Sequence, residues 1–352
     1  MPSSLTDIEV IAPNFKRKLS GVTSTIVQLI PLQRAKGLNI TTIGPGLPPS
    51  LPRIGWSSLL GLWSRPKHRP FRIWHARRNN EMLAGIVLRW LCGSRLKLVF
   101  TSAAQRDHKP FTKWLIRRMD AVIATSGRSG SFLKVPHRVI MHGVDTSLFH
   151  PPANADDRFE ASGLPGKYLV GCAGRIRPSK GTDLFVDAMI ALLPHYPDWA
   201  AVMTGRTTAE FANFEAELRS RIAAAGLQDR IKFLGEVPDV RPWYRRMTLY
   251  VAPSRNEGFG LTPLEAMASQ TAVIASDAGA YAEMITPETG RVVPAGDGEA
   301  LRQAIEPYLA DPAKCLAAGQ AGLAHVRTNF PLEKEAAQIL DVYETLFAGG
   351  AR

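Results

Sequence analysis

The sequence predicts an α/β protein of two doubly wound domains, and three observations carry the prediction. The chain has 352 residues, more than one ordinary core occupies and enough for two. Short runs rich in Val, Ile and Leu alternate with longer helical segments, the pattern of parallel sheets with right-handed crossovers. The alternation stops at a stretch rich in Pro, Asp and small residues, DTSLFHPPANADDRFEASGLPGK (145–167), and then begins again.

Taken in order, IEVIAP reads as a buried strand, TSTIVQLIPLQRA as a helix interrupted by Pro31, and LNITTIGP as the next strand. Residues 44–70 form a Pro/Gly-rich loop that carries Trp56, Trp63 and several cations. RIWHA is a strand, NEMLAGIVLRWLC a helix, LKLVFTS a strand, FTKWLIRRM a helix and AVIATS a strand; HRVIMHG closes the half. Beyond the Pro-rich stretch, YLVGCAG and DLFVDAMIALL restart as strand and helix, and AAVMTG and FEAELRSRIAAAG repeat the unit. IKFLG, LYVAPS, AVIASD and GRVVP supply later strands, and PLEKEAAQILDVYETLFA is amphipathic at helical spacing. The expected boundaries are a first domain over 1–150, a linker over 151–166, a second domain over 167–330 and a terminal helix over 331–352. Two such domains are expected to face each other across a cleft, with ligands at the carboxyl ends of the strands.

An apolar fraction of 45% and a charged fraction of 21% belong to a folded protein rather than a disordered chain. MPSSLTDIEVIAPN has no basic-then-apolar segment, so no signal peptide is expected. No apolar run reaches the roughly 20 residues that cross a bilayer; AGIVLRWLC is cut by Arg89. Cys92, Cys172 and Cys315 are odd in number and scattered, which points to reduced thiols in a cytosol and away from a disulfide framework or a zinc site. Charge is uneven. Residues 1–150 hold 23 Lys and Arg against 6 Asp and Glu, whereas residues 151–352 hold 20 against 25. The basic half suits an anionic partner, whether nucleic acid, acidic lipid head groups or a charged substrate. A merely solvated basic surface is the plainer alternative.

Chemistry is concentrated in SRNEGFGLTPLEAMA (254–268). LYVAPS is a strand, RNEGFGL its C-terminal loop, and TPLEAMAS opens a helix with Thr262 as N-cap and Pro263 at the first helical position. Gly258 and Gly260 let the backbone close on a ligand, and the free amides at the helix start favour a phosphate. Glu257 and Glu265 flank the loop and are expected to reach different parts of one ligand. Plainer readings stand beside these: TPLE (262–265) fits a capping box, and Glu257 is a loop carboxylate in solvent. At the first strand–helix junction of the same domain, GCAGRIRPSKGTDLF places Gly174, Arg175 and Lys180. Arg holds a phosphate bidentately and Lys as a point charge; solvated side chains are again the alternative.

Arg175, Lys180-Gly181, IKFLGEV and the Glu257-x7-Glu265 pair, with DAVIATS and HGVDTSLFHP in the first half, together resemble glycosyltransferase family 4. These are retaining enzymes of the GT-B fold, and the resemblance spans about residues 100–345. It implies that Arg175 and Lys180 neutralise the donor diphosphate and that Glu265 binds the ribose hydroxyls. Glu257, with the amides from Gly258 through Phe259 and Gly260 to Leu261, would hold the donor sugar and distal phosphate, with Gly174 and Thr262 beside them. The loop near Glu236 and Pro238 would face the base. No metal or other cofactor is implied, and the terminal helix would cross back onto the first domain.

More narrowly, IAPNFKRKLSGVTSTIVQLIPLQ, RIWHARRNNEMLAG and FTSAAQRDHKPFTKWLIRRMDAVIATS resemble the lipopolysaccharide core mannosyltransferases of rhizobia and their relatives. That likeness implies transfer of mannose from GDP-mannose onto Kdo of a lipid-A-linked inner core. The enzyme would be peripheral on the inner face of the cytoplasmic membrane. Two departures are visible: KLSGVTS has a single glycine, Gly21, and Ala103 stands where many members carry a His. His75 or His108 is a candidate to contribute instead, a structural or surface histidine being the plainer alternative; the acceptor side is assigned Lys16, Arg17, Gly21, His75 and Arg77. KPFTKWLIRRM and the tryptophans of the 44–70 loop suit a membrane surface, the alternative being a helix whose apolar face is core. Rival functions are a same-fold enzyme with a UDP-glucose-type donor or a soluble acceptor, and a basic nucleic-acid-binding module. The last has no recognisable motif and no stacking aromatics interleaved with its cations.

Overall fold

The computed structural model describes residues 5–17 and 21–349; residues 18–20, within KLSGVTS, lie outside the described residues. The chain divides into two compact units, Met1–His142 with Leu332–Arg352, and Gly143–Pro331.

In the first unit the strands are β1 (Val10–Pro13), β2 (Ile40–Ile43), β3 (Arg72–Ala76), β4 (Leu96–Ser102), β5 (Ala121–Ala124) and β6 (Arg138–Val139). The helices between them are α1 (Gly21–Ala35), α2 (Asn79–Trp90), α3 (Pro110–Ile116) and α4 (Gly127–Ser131). All six strands are parallel, in the order β2-β1-β3-β4-β5-β6. Successive strand residues point to opposite faces, so the sheet has two cores. Val10, Ala12, Ile73, Val99 and Ile123 meet Ile26, Leu29 and Ile30 of α1 on one side. Ile11, Trp74, Leu98, Phe100 and Val122 meet Met82 and Ile86 of α2 and Leu115 and Ile116 of α3 on the other.

Pro31 does not interrupt the first helix, which runs unbroken through it. The missing amide and ring clash cost about 3 kcal/mol, but Ile26, Leu29 and Ile30 keep the helix in the core, and that burial offsets it. Arg72, buried on β3, donates to the carbonyls of Leu5, Ile8 and Ser64 and so fastens the 44–70 loop.

The second unit has strands β7 (Tyr168–Ala173), β8 (Trp199–Thr204), β9 (Ile231–Gly235), β10 (Leu249–Ala252), β11 (Ala272–Ser276) and β12 (Gly290–Val293). Its longer helices are α5 (Thr182–Leu192), α6 (Ala212–Ala224), α10 (Gly298–Ala310) and α11 (Pro312–Asn329), and its shorter ones α7 (Arg241–Arg246), α8 (Thr262–Ala268) and α9 (Tyr281–Met284). The parallel order is β12-β11-β10-β7-β8-β9. Residues 151–166, expected as a linker, form two 3-10 turns of this unit, where buried Asp157 meets Arg245 Nε at 2.6 Å. Pro and Asp signalled the lack of a long helix or strand there, which is not a lack of packing. Helices α10 and α11 went unread in the sequence, although Asp297 and Asp311 cap them through the amides of Ala300 and Ala313.

The final helix, α12 (Leu332–Gly349), belongs to the first unit. Ala336, Ile339, Tyr343 and Phe347 join the core shared with α1.

Candidate active site

An open parallel sheet binds ligands where the strand order reverses, outside the carboxyl ends of the two strands that flank the reversal. In the second unit those strands are β7 and β10. The loops that follow them carry Gly174 to Gly181 and Pro253 to Leu261.

The two loops are locked together by backbone. Gly181 has φ of +69°, and a Cβ there would strike the Pro253 carbonyl, so only glycine permits the approach. The amides of Arg255 and Asn256 donate to Ser179 O at 3.0 and 3.2 Å. Arg255 also grips both Asp183 oxygens at 2.7 Å and donates to Pro178 O at 2.7 Å. This clamp brings Lys180 Nζ into an ion pair with Glu257 Oε2, with the two side chains 21% and 19% exposed. The Tyr281 hydroxyl donates to the same oxygen at 3.4 Å, and Gly258 N–H donates to Oε1 at 3.1 Å. Gly260, at φ of +87°, lies so close to the Tyr281 ring that a Cβ would collide with it.

Arg175 is exposed at the end of β7, directly after Gly174, whose amide donates to Thr204 O at 2.9 Å. Among the described residues no carboxylate pairs with Arg175. Phe259 turns its ring into the core, and its carbonyl accepts from Ala280 N–H at 3.0 Å. Glu236 is exposed beyond β9, two strands from β7, where Gly205 N–H donates to Gly235 O at 2.7 Å.

Thr262 is not the N-cap. The cap position of α8 is Leu261, no side chain caps the helix, and the Thr262 hydroxyl is next to the buried Tyr250 and Tyr281. Glu265 therefore takes no part in a capping box. Its Oε2 accepts from the hydroxyl of Tyr244, itself fully buried, at 2.9 Å. Loss of hydration pushes the Glu265 carboxyl up from 4.5 to about 7, against the opposing pull of the Tyr244 hydrogen bond. Near neutral pH it is poised to accept or to release a proton.

In the first unit the order reverses between β1 and β3. Buried Asn14 donates through Nδ2 to the carbonyls of Lys16 at 2.9 Å and Pro45 at 2.6 Å, and its Oδ1 accepts from Arg78 at 2.8 Å. Arg78 pairs with the fully buried Glu81 at 2.7 Å, which also accepts from the amides of Arg77 at 2.8 Å and Phe15 at 3.3 Å. This knot sets the loop that presents Lys16 and Arg17, both exposed, ahead of exposed Gly21 at the start of α1. Arg77 is half-buried, and burial lowers its pKa while the Glu81 and Glu335 carboxylates oppose that.

His75 departs from its expected place beside a ligand. It is fully buried, with Nδ1 2.5 Å from the Tyr343 hydroxyl and Nε2 2.7 Å from Thr101 Oγ1. Burial and the Arg77 charge hold its pKa well below the usual value, so it is a neutral core residue joining β3, β4 and α12. His108 is half-buried, with Nε2 3.5 Å from Ser102 Oγ.

The fold thus gathers Arg175, Lys180, Glu257 and Glu265 at one reversal, and Lys16, Arg17, Gly21 and Arg77 at the other. Sequence reasoning missed Tyr244, Tyr281, Asp183, Asn14, Arg78 and Glu81. Arg255 stood inside the quoted motif and was passed over, although a cation beside Glu257 was a visible signal. Among the described residues no cluster of His, Cys, Asp or Glu is grouped to hold a metal, and no helix is long and apolar enough to cross a membrane.

Residues 167–311 match the family model for glycosyl transferases group 1. The chain is 66% identical over 343 residues to the lipopolysaccharide core biosynthesis mannosyltransferase LpcC of Rhizobium leguminosarum bv. viciae, covering 97% of each. It is 54% identical over 346 residues to the lipopolysaccharide core biosynthesis mannosyltransferase LpsB of Rhizobium meliloti, covering 97% of this chain and 99% of that one. The crystal structure of Anabaena HepE with UDP and glucose, 17% identical, gives a TM-score of 0.81 over 96% of this chain and 100% of that chain. That likeness is one of fold, the two-domain GT-B architecture expected from the sequence.

Proposed function

The chain belongs to the group 1 glycosyl transferases, and on that premise we propose that it transfers mannose from GDP-mannose onto Kdo of a lipid-linked lipopolysaccharide core, with retention at the anomeric carbon. The relatives' names support mannosyl transfer in core assembly. The observation that carries the site is the pairing of Lys180 with Glu257, 77 positions apart, at the strand reversal of the second unit.

In the donor-free protein Glu257 neutralises Lys180. A donor diphosphate takes over the ammonium and draws in the unpaired Arg175, while Glu257 turns to the sugar hydroxyls and Glu265 to the ribose. As the anomeric carbon–phosphate oxygen bond breaks, negative charge grows on the diphosphate, and Arg175 and Lys180 stabilise it. The acceptor oxygen bonds to the same face of that carbon, and its proton passes to the leaving phosphate. Charge neutralisation comes from these two side chains, and the reading includes no metal or other cofactor. Lys16, Arg17 and Arg77 of the basic first unit would meet the anionic acceptor, with the protein peripheral on the inner face of the cytoplasmic membrane.

A screen of nucleotide sugars with Kdo-lipid A as acceptor, read by mass spectrometry, tests the reading. A product heavier by one hexose with GDP-mannose supports it. Transfer only from a UDP-sugar, or only to a soluble acceptor, overturns the donor or acceptor assignment.

A further inference from the structure

Helix α2 is apolar on two sides. Met82 and Ile86 are buried against the sheet, while Leu83, Val87 and Trp90 are exposed and Leu91, just past the helix end, is 82% exposed. A helix with two apolar sides ordinarily has both covered, and here only one is.

The uncovered side continues onto neighbouring elements. Phe111 stacks on Trp114 of α3 at 6.1 Å between ring centroids. The Arg118 guanidinium lies 3.7 Å from the Trp114 ring centroid and 5.5 Å from that of Trp90, and Arg89 lies 5.9 Å from Trp90. Next to Leu91 in the chain, the Cys92 carbonyl accepts from the Trp63 indole N–H. The result is one ridge of aromatic rings with guanidinium groups between them. Residues 56–119 hold 14 Lys and Arg against two carboxylates, Glu81 and Asp107. Asp107 is taken by Lys113, and nearby Asp120 by Arg89 and Lys97, so no free carboxylate of the ridge opposes an anionic surface. The sequence left KPFTKWLIRRM open between core and membrane. In the structure Leu115 and Ile116 go to the core, while Phe111 and Trp114 stay outside.

We propose that this ridge docks the protein on an anionic lipid bilayer, with Trp90 and Leu91 entering the head-group boundary and Arg117 and Arg118 meeting lipid phosphates. Tryptophan and leucine supply the apolar area and aromatic interface preference, and the cations supply attraction to acidic lipid. The proposal rests on the membrane reading above and names the surface that performs it.

The test is flotation of the full chain with vesicles of three parts phosphatidylethanolamine and one part phosphatidylglycerol, without nucleotide or acceptor. Trp90→Ser, Leu91→Ser and Trp114→Ser combined should lower partitioning at least about tenfold at 0.15 M salt. Leu316→Ser, at an equally bare apolar residue of the second unit, should leave it unchanged. Circular dichroism and transfer to a soluble Kdo acceptor check that the triple variant remains folded. Full flotation of the folded triple variant overturns this surface while leaving the membrane reading intact. Failure of the wild type to float overturns both, and equal loss in Leu316→Ser shows nonspecific adhesion and overturns the surface.

Discussion

Glu265→Gln separates two demands on one carboxyl. With the wild-type carboxyl raised from 4.5 to about 7, its ionised fraction climbs from about one-tenth at pH 6 to nearly all at pH 8.5. In the proposed role two ribose hydroxyls would donate to the ionised form, so nucleotide affinity should rise roughly tenfold over that interval through this group. Glutamine keeps the shape but cannot ionise, so the variant should bind more weakly at high pH and lose that increment. Stability moves the opposite way. A raised carboxyl pKa means that the folded state favours the proton, an advantage complete below the unfolded value of 4.5 and lost by the time pH passes about 7. The difference is up to about 3 kcal/mol, so wild type should weaken relative to Glu265→Gln across that window. Calorimetric titration with GDP at pH 6 and pH 8.5 reads the first effect, and urea unfolding at pH 5 and pH 8 the second. Any titration of the GDP phosphates is common to both proteins and cancels in the comparison. Identical pH dependence of affinity in both would refute the ribose role, and parallel stability curves would refute the half-buried, proton-holding carboxyl.

Arg175→Ala or Lys180→Ala should lower kcat about 100-fold or more, a loss of roughly 3 kcal/mol of leaving-group stabilisation, and near-wild-type turnover of the folded variants would remove the phosphate assignment. Arg255→Ala breaks a partly exposed clamp, so stability should fall by only about 1 kcal/mol while donor KM rises several-fold; Arg255→Lys should restore part of the KM, and an unchanged KM would show that the clamp does not position Lys180. Gly181→Ala forces a side chain into left-handed backbone and against Pro253, and should cost about 2 kcal/mol or more by chemical denaturation with donor binding impaired; a neutral substitution would mean that the two loops are not held in contact.

The strand LKLVFTS coincides with β4, Leu96–Ser102, because Leu96, Leu98, Val99 and Phe100 are too apolar to leave in water and are buried against both faces of the sheet. RIWHA is β3, where Ile73, Trp74 and Ala76 are buried and Arg72 and His75 are held by hydrogen bonds. The loop before TPLEAMA was legible from its two glycines and the helix-favouring run after them. The local signals that failed are as instructive. Pro31 stands in a helix interior, where proline is disruptive, yet α1 persists because its flanking residues are buried by partners remote in sequence. TPLE has the spacing of a capping box, and that pattern is silent about whether Glu265 turns back to its own backbone or inward.

The sequence by itself determined two runs of parallel strands, the place of the glycine loop after β10 and the residue types able to hold a diphosphate, since hydrophobic periodicity and turn chemistry act over a few neighbouring positions. Only the tertiary structure decided which distant groups meet. Lys180 met Glu257, Glu265 met Tyr244 and not its own helix start, and His75 was closed over by Tyr343 from 268 positions away. The physical reason is that desolvation and hydrogen-bond partnership belong to the packed environment. The same histidine or glutamate can be a ligand or a core residue, and its nearest neighbours in the chain do not fix which.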